Sequence, residues 1–476
     1  ALSEWIIKLT PGPVIEFGIE LLGQNDKPVL IGLTLVGLIL VSSLVGVVAL
    51  RSLVLGQSLF LLMGVVLLLA VHKQLSSSSV ASFVPAVAGV GLAMVTLALL
   101  TPKGRAAVVS GPAAEPSLGG ATEPAARRDF LRLAGGLAIG AVVVGATGRV
   151  LARSRAALET ARRGLNLAVT RGAKPAGAEV GLAGITPWRT SQERFYRIDT
   201  ALSVPQILPS EWRLRVHGSV DRELTLTYQD LAERQPTEAW VTLCCVSNEV
   251  GGDLISNAWW SGVRIADVLA EAGVSADADA VLSTSEDGWT CGTPLGPLTD
   301  DRNALFAIAM NGEPLTPEHG FPVRMVVPGL YGYVSATKWV VDLEVTRFSE
   351  IEAFWTGNGW AEEGPVKTQS RIDVPMGGTT VKAGDVAVGG IAWAQHTGIA
   401  KVEVRVDGGA WQEAKLGSGS VTDAWRQWAY VWSATVGDHQ IQVRATDASG
   451  YTQTGDEIGV KPDGATGWHT TDVTVS

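Results

Sequence analysis

Long apolar runs dominate the first hundred residues, and alternating or mixed patterns dominate the chain beyond residue 190. Three runs, Val29–Ala49, Leu53–Val71 and Val80–Leu100, are long enough to cross a bilayer, which takes a helix of ~20 residues. A fourth, Leu131–Val150, is rich in Gly and Ala and less hydrophobic. Apolar runs in series with polar breaks read as membrane spans rather than buried soluble helices. Ahead of them, Pro13–Leu22 carries the pattern of an amphipathic helix lying in the interface.

Farther along, Trp212–Gly218 alternates like a strand, while Tyr228–Glu233 and Ile265–Ala272 read as short helices. Glu344–Arg347 closes an α+β domain near residue 350. Beyond Lys367 the texture changes to short strands separated by Gly/Asp turns. Lys401–Val406 runs into Asp407-Gly408-Gly409, and Gln440–Asp447 alternates likewise. This pattern predicts a β-sandwich of the immunoglobulin kind. The expected organisation is multi-domain: a membrane region over 1–154, a polar Ala/Gly-rich linker over 155–190, an α+β domain over 191–365 and the sandwich over 366–476.

A net charge of −10 and a pI near 5.2 argue against nucleic acid as a partner. Most of the 16 tryptophans lie after Trp188, which marks the globular part. Three cysteines in 476 residues exclude a disulfide scaffold. Two of them are adjacent, Cys244-Cys245, in Thr242-Leu243-Cys244-Cys245-Val246-Ser247-Asn248-Glu249. Neighbouring cysteines cannot close a zinc loop, and Cys291 completes no metal or redox pattern. On a strand the two side chains point to opposite faces, so one thiol enters a core and the other faces the polar loop. A single exposed thiolate beside a turn suits a soft metal centre or a nucleophile.

Positive charge around the Leu131–Val150 run is nearly balanced. Lys103, Arg105, Arg127, Arg128 and Arg132 precede or enter it, and Arg149, Arg153, Arg155, Arg162 and Arg163 end or follow it. Arg127-Arg128-Asp129-Phe130-Leu131-Arg132 before a mildly apolar stretch resembles a twin-arginine translocation signal, which exports proteins folded around a cofactor. This predicts a multi-pass protein of a bacterial cell membrane with its catalytic region on the extracytoplasmic side.

Three further stretches share one resemblance. They are Phe195-Tyr196-Arg197-Ile198-Asp199, then Cys245-Val246-Ser247-Asn248 with Asn257–Val263, then Met310–Leu315 with His319–Arg324 and Lys338-Trp339. In order and spacing they resemble the sulfite oxidase family of molybdopterin-dependent oxidoreductases over about Phe195–Ser476. The resemblance implies a molybdenum cofactor with Cys245 as the metal's thiolate ligand and Cys244 as a core residue. It implies that Phe195, Tyr196, Arg197, Ile198 and Asp199 line the pterin and substrate pocket, with Arg197 orienting substrate. It further assigns His319 and Arg324 to the pterin and its phosphate, Ala336, Thr337 and Lys338 to another cofactor-binding stretch, and Ser285 and Asp287 to a pterin contact. Arginine suits phosphate because its guanidinium binds two oxygens at once.

The chain departs from sulfite oxidases proper in its anion pocket. Glu249 follows the Cys-x-x-Asn where those enzymes carry a base, Trp289 lies near the position of their active-site tyrosine, and Gly332-Tyr333-Val334-Ser335 replaces their Gly-x-Arg. A divalent oxyanion would want those positive charges. No Cys-x-x-Cys-His haem site occurs among the six scattered histidines, so electrons are expected to pass to a separate cytochrome or quinone-linked partner. The expected activity is oxygen-atom transfer to or from a small substrate; the alternatives are a sulfoxide-type reductase and a non-catalytic subunit of a respiratory assembly. The sandwich, similar to the family's dimerisation domain, implies a homodimer, and the spans imply hetero-assembly as its alternative.

Overall fold

The computed structural model describes residues 26–74, 84–100 and 155–476. The amphipathic segment Pro13–Leu22, the arginine pair Arg127-Arg128 and the Leu131–Val150 run lie outside the described residues. The chain divides into two compact units, Ala1–Glu159 with Ala201–Ser203, and Thr160–Thr200 with Val204–Ser476.

In the first unit the apolar runs form helices Asp26–Arg51, Leu53–Gln74 and Val84–Leu100. Val29–Arg51 is long and apolar enough to cross a membrane. Ser52 breaks the first two helices, and its hydroxyl accepts from the Leu55 N–H, one of the donors that a helix start leaves without a backbone partner. Small residues carry the contacts. A Cβ on Gly56 would lie 2.5 Å from Ala49 Cβ, and one on Gly64 would lie 2.9 Å from Val90 Cγ2. Leu33, Ile39, Leu44 and Val54 are exposed.

The second unit holds four sheets. The first has the order β2-β1-β10-β5-β6: β1 (Arg213–Gly218), β2 (Leu224–Thr227), β5 (Ala280–Ser285), β6 (Thr290–Pro294) and β10 (Val340–Thr346). The β1–β10 pair is parallel and the others are antiparallel. In β1, Leu214 and Val216 are buried while Arg213 and Arg215 are exposed, as alternation on a half-solvated sheet requires. The second sheet joins β3 (Thr237–Cys244), β4 (Ile255–Arg264), β7 (Leu305–Met310), β8 (Glu313–Pro314) and β9 (Arg324–Val326). Its central strand β7, Leu-Phe-Ala-Ile-Ala-Met, is buried throughout and reads as a continuous apolar run because both faces are covered. Asn311-Gly312 turns β7 into β8 with both residues at positive φ (57° and 80°), the conformation a two-residue hairpin needs.

Helix Ile265–Ala272 buries Ile265, Val268, Leu269 and Ala272, one face at helical spacing, and ends on Gly273 in the left-handed region. The shorter helix Tyr228–Ala232 starts on a capping box between Thr227 and Asp230.

Two further sheets enclose a second core. One runs β11 (Gln369–Val374), β13 (Gly384–Trp393), β17 (Arg426–Ala434) and β16 (Lys415–Leu416). The other runs β12 (Thr380–Val381), β19 (His469–Val475), β18 (Gly437–Asp447), β14 (Ile399–Val406) and β15 (Gln412–Glu413). Val388, Val402, Val404, Trp428, Ile441 and Val443 fill the space between them. The Asp407-Gly408 turn has both residues at positive φ, as the sequence pattern predicts.

Residues 165–192 form no long element, yet they are pinned along their length. Glu238 accepts from Thr170 N and Oγ1, Gln427 from Val180 N, and Asp373 from Thr186 N. Trp188 is fully buried, and Asn257 Nδ2 donates to its carbonyl. A polar, Ala/Gly-rich composition read as a linker therefore ends as a strap, because its backbone groups meet fixed side chains of both the α+β region and the C-terminal sheets.

Candidate active site

The two cysteines sit where β3 ends. Cys244 is its last residue, paired with Ile255 of β4 and 1 % exposed; Cys245 follows, half-buried. The loop from Cys245 to Leu254 is closed by Cys245 N–H to Leu254 O at 2.9 Å. Inside it, Asn248 N–H donates to Cys245 O, and Asn248 Oδ1 accepts from Leu254 N–H. Asn248 is thus a clamp on the cysteine loop and is itself buried.

The thiolate expected at the surface is a thiol in this environment. Burial pushes Cys245 above its ordinary range, while hydrogen bonds from Ser247 and the Lys338 ammonium oppose that shift. Burial raises Cys244 well above its ordinary value too. A cationic metal at Cys245 would reverse the balance by coordinating the deprotonated sulfur.

Several sequence-predicted residues gather around this sulfur. Phe195 is buried and stacks on Tyr196, with ring centroids 5.4 Å apart. Burial and then the Cys245 and Cys244 sulfurs push the Tyr196 hydroxyl well up. Gly332 marks the same place, since a Cβ there would lie 3.7 Å from Tyr196 Oη and 3.8 Å from Cys244 O.

Arg324, on β9, is 4 % exposed, with its guanidinium 5.1 Å above the Trp260 ring and Nη1 donating to His319 O. Burial lowers it to about 10, so it stays cationic at neutral pH. Lys338 is 8 % exposed, and burial lowers its ammonium to about 8 against the pull of Asp199. Its Nζ donates to Asp199 Oδ2 at 2.9 Å, and the same oxygen accepts from Arg197 Nε at 2.8 Å. Lys338 is therefore a buried, paired charge. Next to it, Trp339 adopts φ 49°, a strained conformation for a bulky residue, held by its Nε1–H on Pro317 O.

His319 ends a short 3₁₀ turn, Pro317–His319. Its Nε2 lies 2.7 Å from Gln192 O. A carbonyl only accepts, so Nε2 carries the proton and Nδ1 keeps its lone pair. Nδ1 is buried with no partner. Burial, then Lys338 and Arg324, lower this imidazole to about 4, so it is neutral at pH 7.

In cofactor-free protein the His319 shift makes stability pH-dependent. Its pKa is about 4 when folded and 6.5 in the unstressed reference, so the unfolded chain takes up the proton first. The stability contribution is complete above pH 6.5 and is lost as pH falls towards 4, by about 3 kcal/mol. Urea midpoints at pH 7 and pH 4.5 should differ accordingly, and His319→Asn should flatten that difference.

The remaining predicted residues form a neighbouring wall. Ser285 ends β5, 1 % exposed, with an unpartnered hydroxyl. Asp287 follows in the turn, where its Oδ1 accepts from Trp289 N–H. Glu286 N–H donates to Trp339 O, which ties this turn to the lysine segment. Thr337 Oγ1 lies 2.7 Å from Ser283 Oγ, and Ala336 is half-buried beside it. Ile198 is 50 % exposed between Arg197 and Asp199.

Sequence reasoning missed Gln192. Its Nε2 donates to Met310 O and Pro314 O, its Oε1 accepts from Thr316 N–H, and its carbonyl orients His319. It also missed Trp260 beneath Arg324. A glutamine in a polar stretch and one tryptophan among many carry no local signal.

The residues fit a molybdopterin. A half-buried sulfur, the buried cations Lys338, paired with Asp199, and Arg324, bonded to backbone carbonyls, an imidazole lone pair and a buried hydroxyl suit a ligand rich in phosphate and polar ring atoms. The family model described as "Oxidoreductase molybdopterin binding domain" matches residues 201–355. "Uncharacterized oxidoreductase YuiH" of Bacillus subtilis is 38 % identical over 155 residues, covering 33 % of this chain and 75 % of its own. The chain belongs to the sulfite oxidase family of molybdopterin oxidoreductases. As a member it is a molybdenum-dependent oxidoreductase whose cofactor is molybdopterin with molybdenum.

Within this family, mitochondrial sulfite oxidase of Rattus norvegicus is 33 % identical over 275 residues, or 48 % of this chain. The chain spans about half the length of that relative, 50 %. Among solved structures, the sulfane dehydrogenase SoxCD of Paracoccus pantotrophus shares the fold, with a TM-score of 0.52 at 22 % identity. That match covers 62 % of this chain and 82 % of the other.

Proposed function

We propose that this family member catalyses oxygen-atom transfer to or from a small substrate at Cys245, with the catalytic region held at a membrane. The observation that carries the reading is that Tyr196 and Lys338 face the Cys245 sulfur, with Arg324 in turn beside Tyr196 and Lys338. In this reading Cys245 is the protein's ligand to molybdenum, because a thiolate is a soft, strongly donating group. When bound, the cofactor supplies two-electron oxygen chemistry.

The chain's own residues do the rest. Arg324 and Lys338 hold the cofactor's phosphate and polar edge through charge-assisted hydrogen bonds. His319, kept neutral, accepts a hydrogen bond at Nδ1. Ser285 and Asp287 form part of the pterin wall, with Ala336 and Thr337 beside them. Phe195, Tyr196 and Ile198 exclude water, and Arg197 orients the substrate oxygen from the rim. Electrons pass to a separate redox partner.

The three apolar helices are proposed as bilayer spans, with the second unit extracytoplasmic and its C-terminal sheets an immunoglobulin-like domain that serves dimerisation or assembly. Exposed Leu and Val side chains and small-residue helix contacts favour lipid surroundings. Molybdenum and pterin content of detergent-extracted protein, followed by assays of sulfite oxidation and sulfoxide reduction with artificial electron carriers, tests the reading. One molybdenum per chain and turnover in either direction support it. Metal-free protein without turnover sinks it in favour of a non-catalytic subunit.

A further inference from the structure

Asp199 is a carboxylate placed among cations. Its side chain is 6 % exposed, and Oδ2 accepts from both Lys338 Nζ (2.9 Å) and Arg197 Nε (2.8 Å). Arg324 faces Lys338 from β9. The carboxylate therefore links the deeply buried Lys338 to Arg197, whose side chain is 39 % exposed.

A guanidinium has two edges that can grip an oxyanion. Asp199 takes one of them, with Nε at 2.8 Å and Nη2 at 3.5 Å. Only the edge formed by the two terminal nitrogens is left for a substrate. A fixed negative charge in direct contact also cancels much of the field that an arriving anion would feel, and the loss grows with the anion's charge. Next to this pair, Ile198 offers an exposed apolar surface.

We propose that Asp199 is a positioning residue that sets substrate class: by bridging Arg197 and Lys338 it holds both side chains and lowers the positive potential at the pocket rim. The site then favours substrates whose reacting oxygen sits on an uncharged group over divalent oxyanions. This rests on the reading of Arg197 as the substrate-facing residue.

The test is calorimetric titration of inorganic sulfate into the full chain, comparing wild type, Asp199→Asn and Asp199→Glu at equal molybdenum content and over a salt series. Asp199→Asn should bind sulfate about tenfold tighter with a steeper salt dependence, and Asp199→Glu should stay near wild type. Unchanged or weaker sulfate binding in Asp199→Asn overturns the proposal. So does wild-type sulfate affinity tighter than about 1 mM, a measurement that needs no variant to fold. Because compared proteins carry equal molybdenum, the sulfate result decides on Asp199 separately from whether the enzyme turns over.

Discussion

Cys245→Ser is expected to leave the fold intact and to lower turnover by at least about 100-fold, a barrier increase of about 2.7 kcal/mol. Serine keeps the size and the backbone bonds of the loop, since Cys245 N–H to Leu254 O and Asn248 N–H to Cys245 O involve no side-chain atom of residue 245. What it removes is the soft sulfur that faces Lys338 and Tyr196. Cys244→Ala provides the contrast. Its thiol is buried and makes only a weak contact with Cys245 O at 3.4 Å, so turnover per molybdenum should stay within about threefold while stability falls by about 1 kcal/mol. Steady-state rates normalised to molybdenum content, with near-ultraviolet circular dichroism as the check on folding, measure both. Wild-type turnover in Cys245→Ser would remove Cys245 as the ligand.

Arg371→Ala is expected to cost roughly 3–5 kcal/mol of stability and to loosen the cysteine loop. Arg371 lies on β11 and is 9 % exposed. Its Nε pairs with Asp373 at 2.7 Å, Nη1 donates to Gly252 O at 2.6 Å and Nη2 to Thr186 Oγ1 at 2.7 Å. Truncation leaves the Asp373 carboxylate, itself only 9 % exposed, without its cation and frees the Gly252 carbonyl. Lysine should not rescue, because one ammonium cannot reproduce three donors in a fixed fork. Nearby, Gly251 sits at φ 79°, and a Cβ there would lie 2.2 Å from His469 Cδ2 of β19. The C-terminal sheets thus form one wall of the loop that presents Cys245. Urea unfolding gives the stability loss, and faster release of molybdenum during dialysis reports the loosened loop; an unchanged urea midpoint would contradict the argument.

Much of this molecule is legible along the chain, for a physical reason: local periodicity is set by which face is buried. Ile265–Ala272 is readable because its apolar positions repeat at helical spacing and Gly273 ends it. Lys401–Val406 and the Asp407-Gly408 turn are readable because the strand alternates and the turn needs positive φ. The cysteine pair is readable in part. Alternation separates the core thiol from the other, but it says nothing of how deeply the loop is covered, and Cys245 ends half-buried and raised instead of exposed and ionised. The strap over residues 165–192 fails for the complementary reason. Its composition is that of a linker, and what holds it are side chains far away in sequence, such as Gln427 and Asp373.

By itself the sequence determined the element types, the apolar helices, the strand-rich C-terminal region and the set of residues that resemble a molybdopterin site. These follow from local pattern and from motif order, which need no distances. Only the tertiary structure decided how that set is wired. Lys338 meets Asp199 across 139 positions of sequence, and His319 meets the Gln192 carbonyl across 127. Ion pairing and tautomer choice depend on separations of about 3 Å and on exclusion of water, and neither is encoded in the spacing of residues along a chain. That is why a candidate metal ligand could be named from the sequence, whereas the pairing of Asp199 with Lys338 and Arg197 appears only once the fold brings them together.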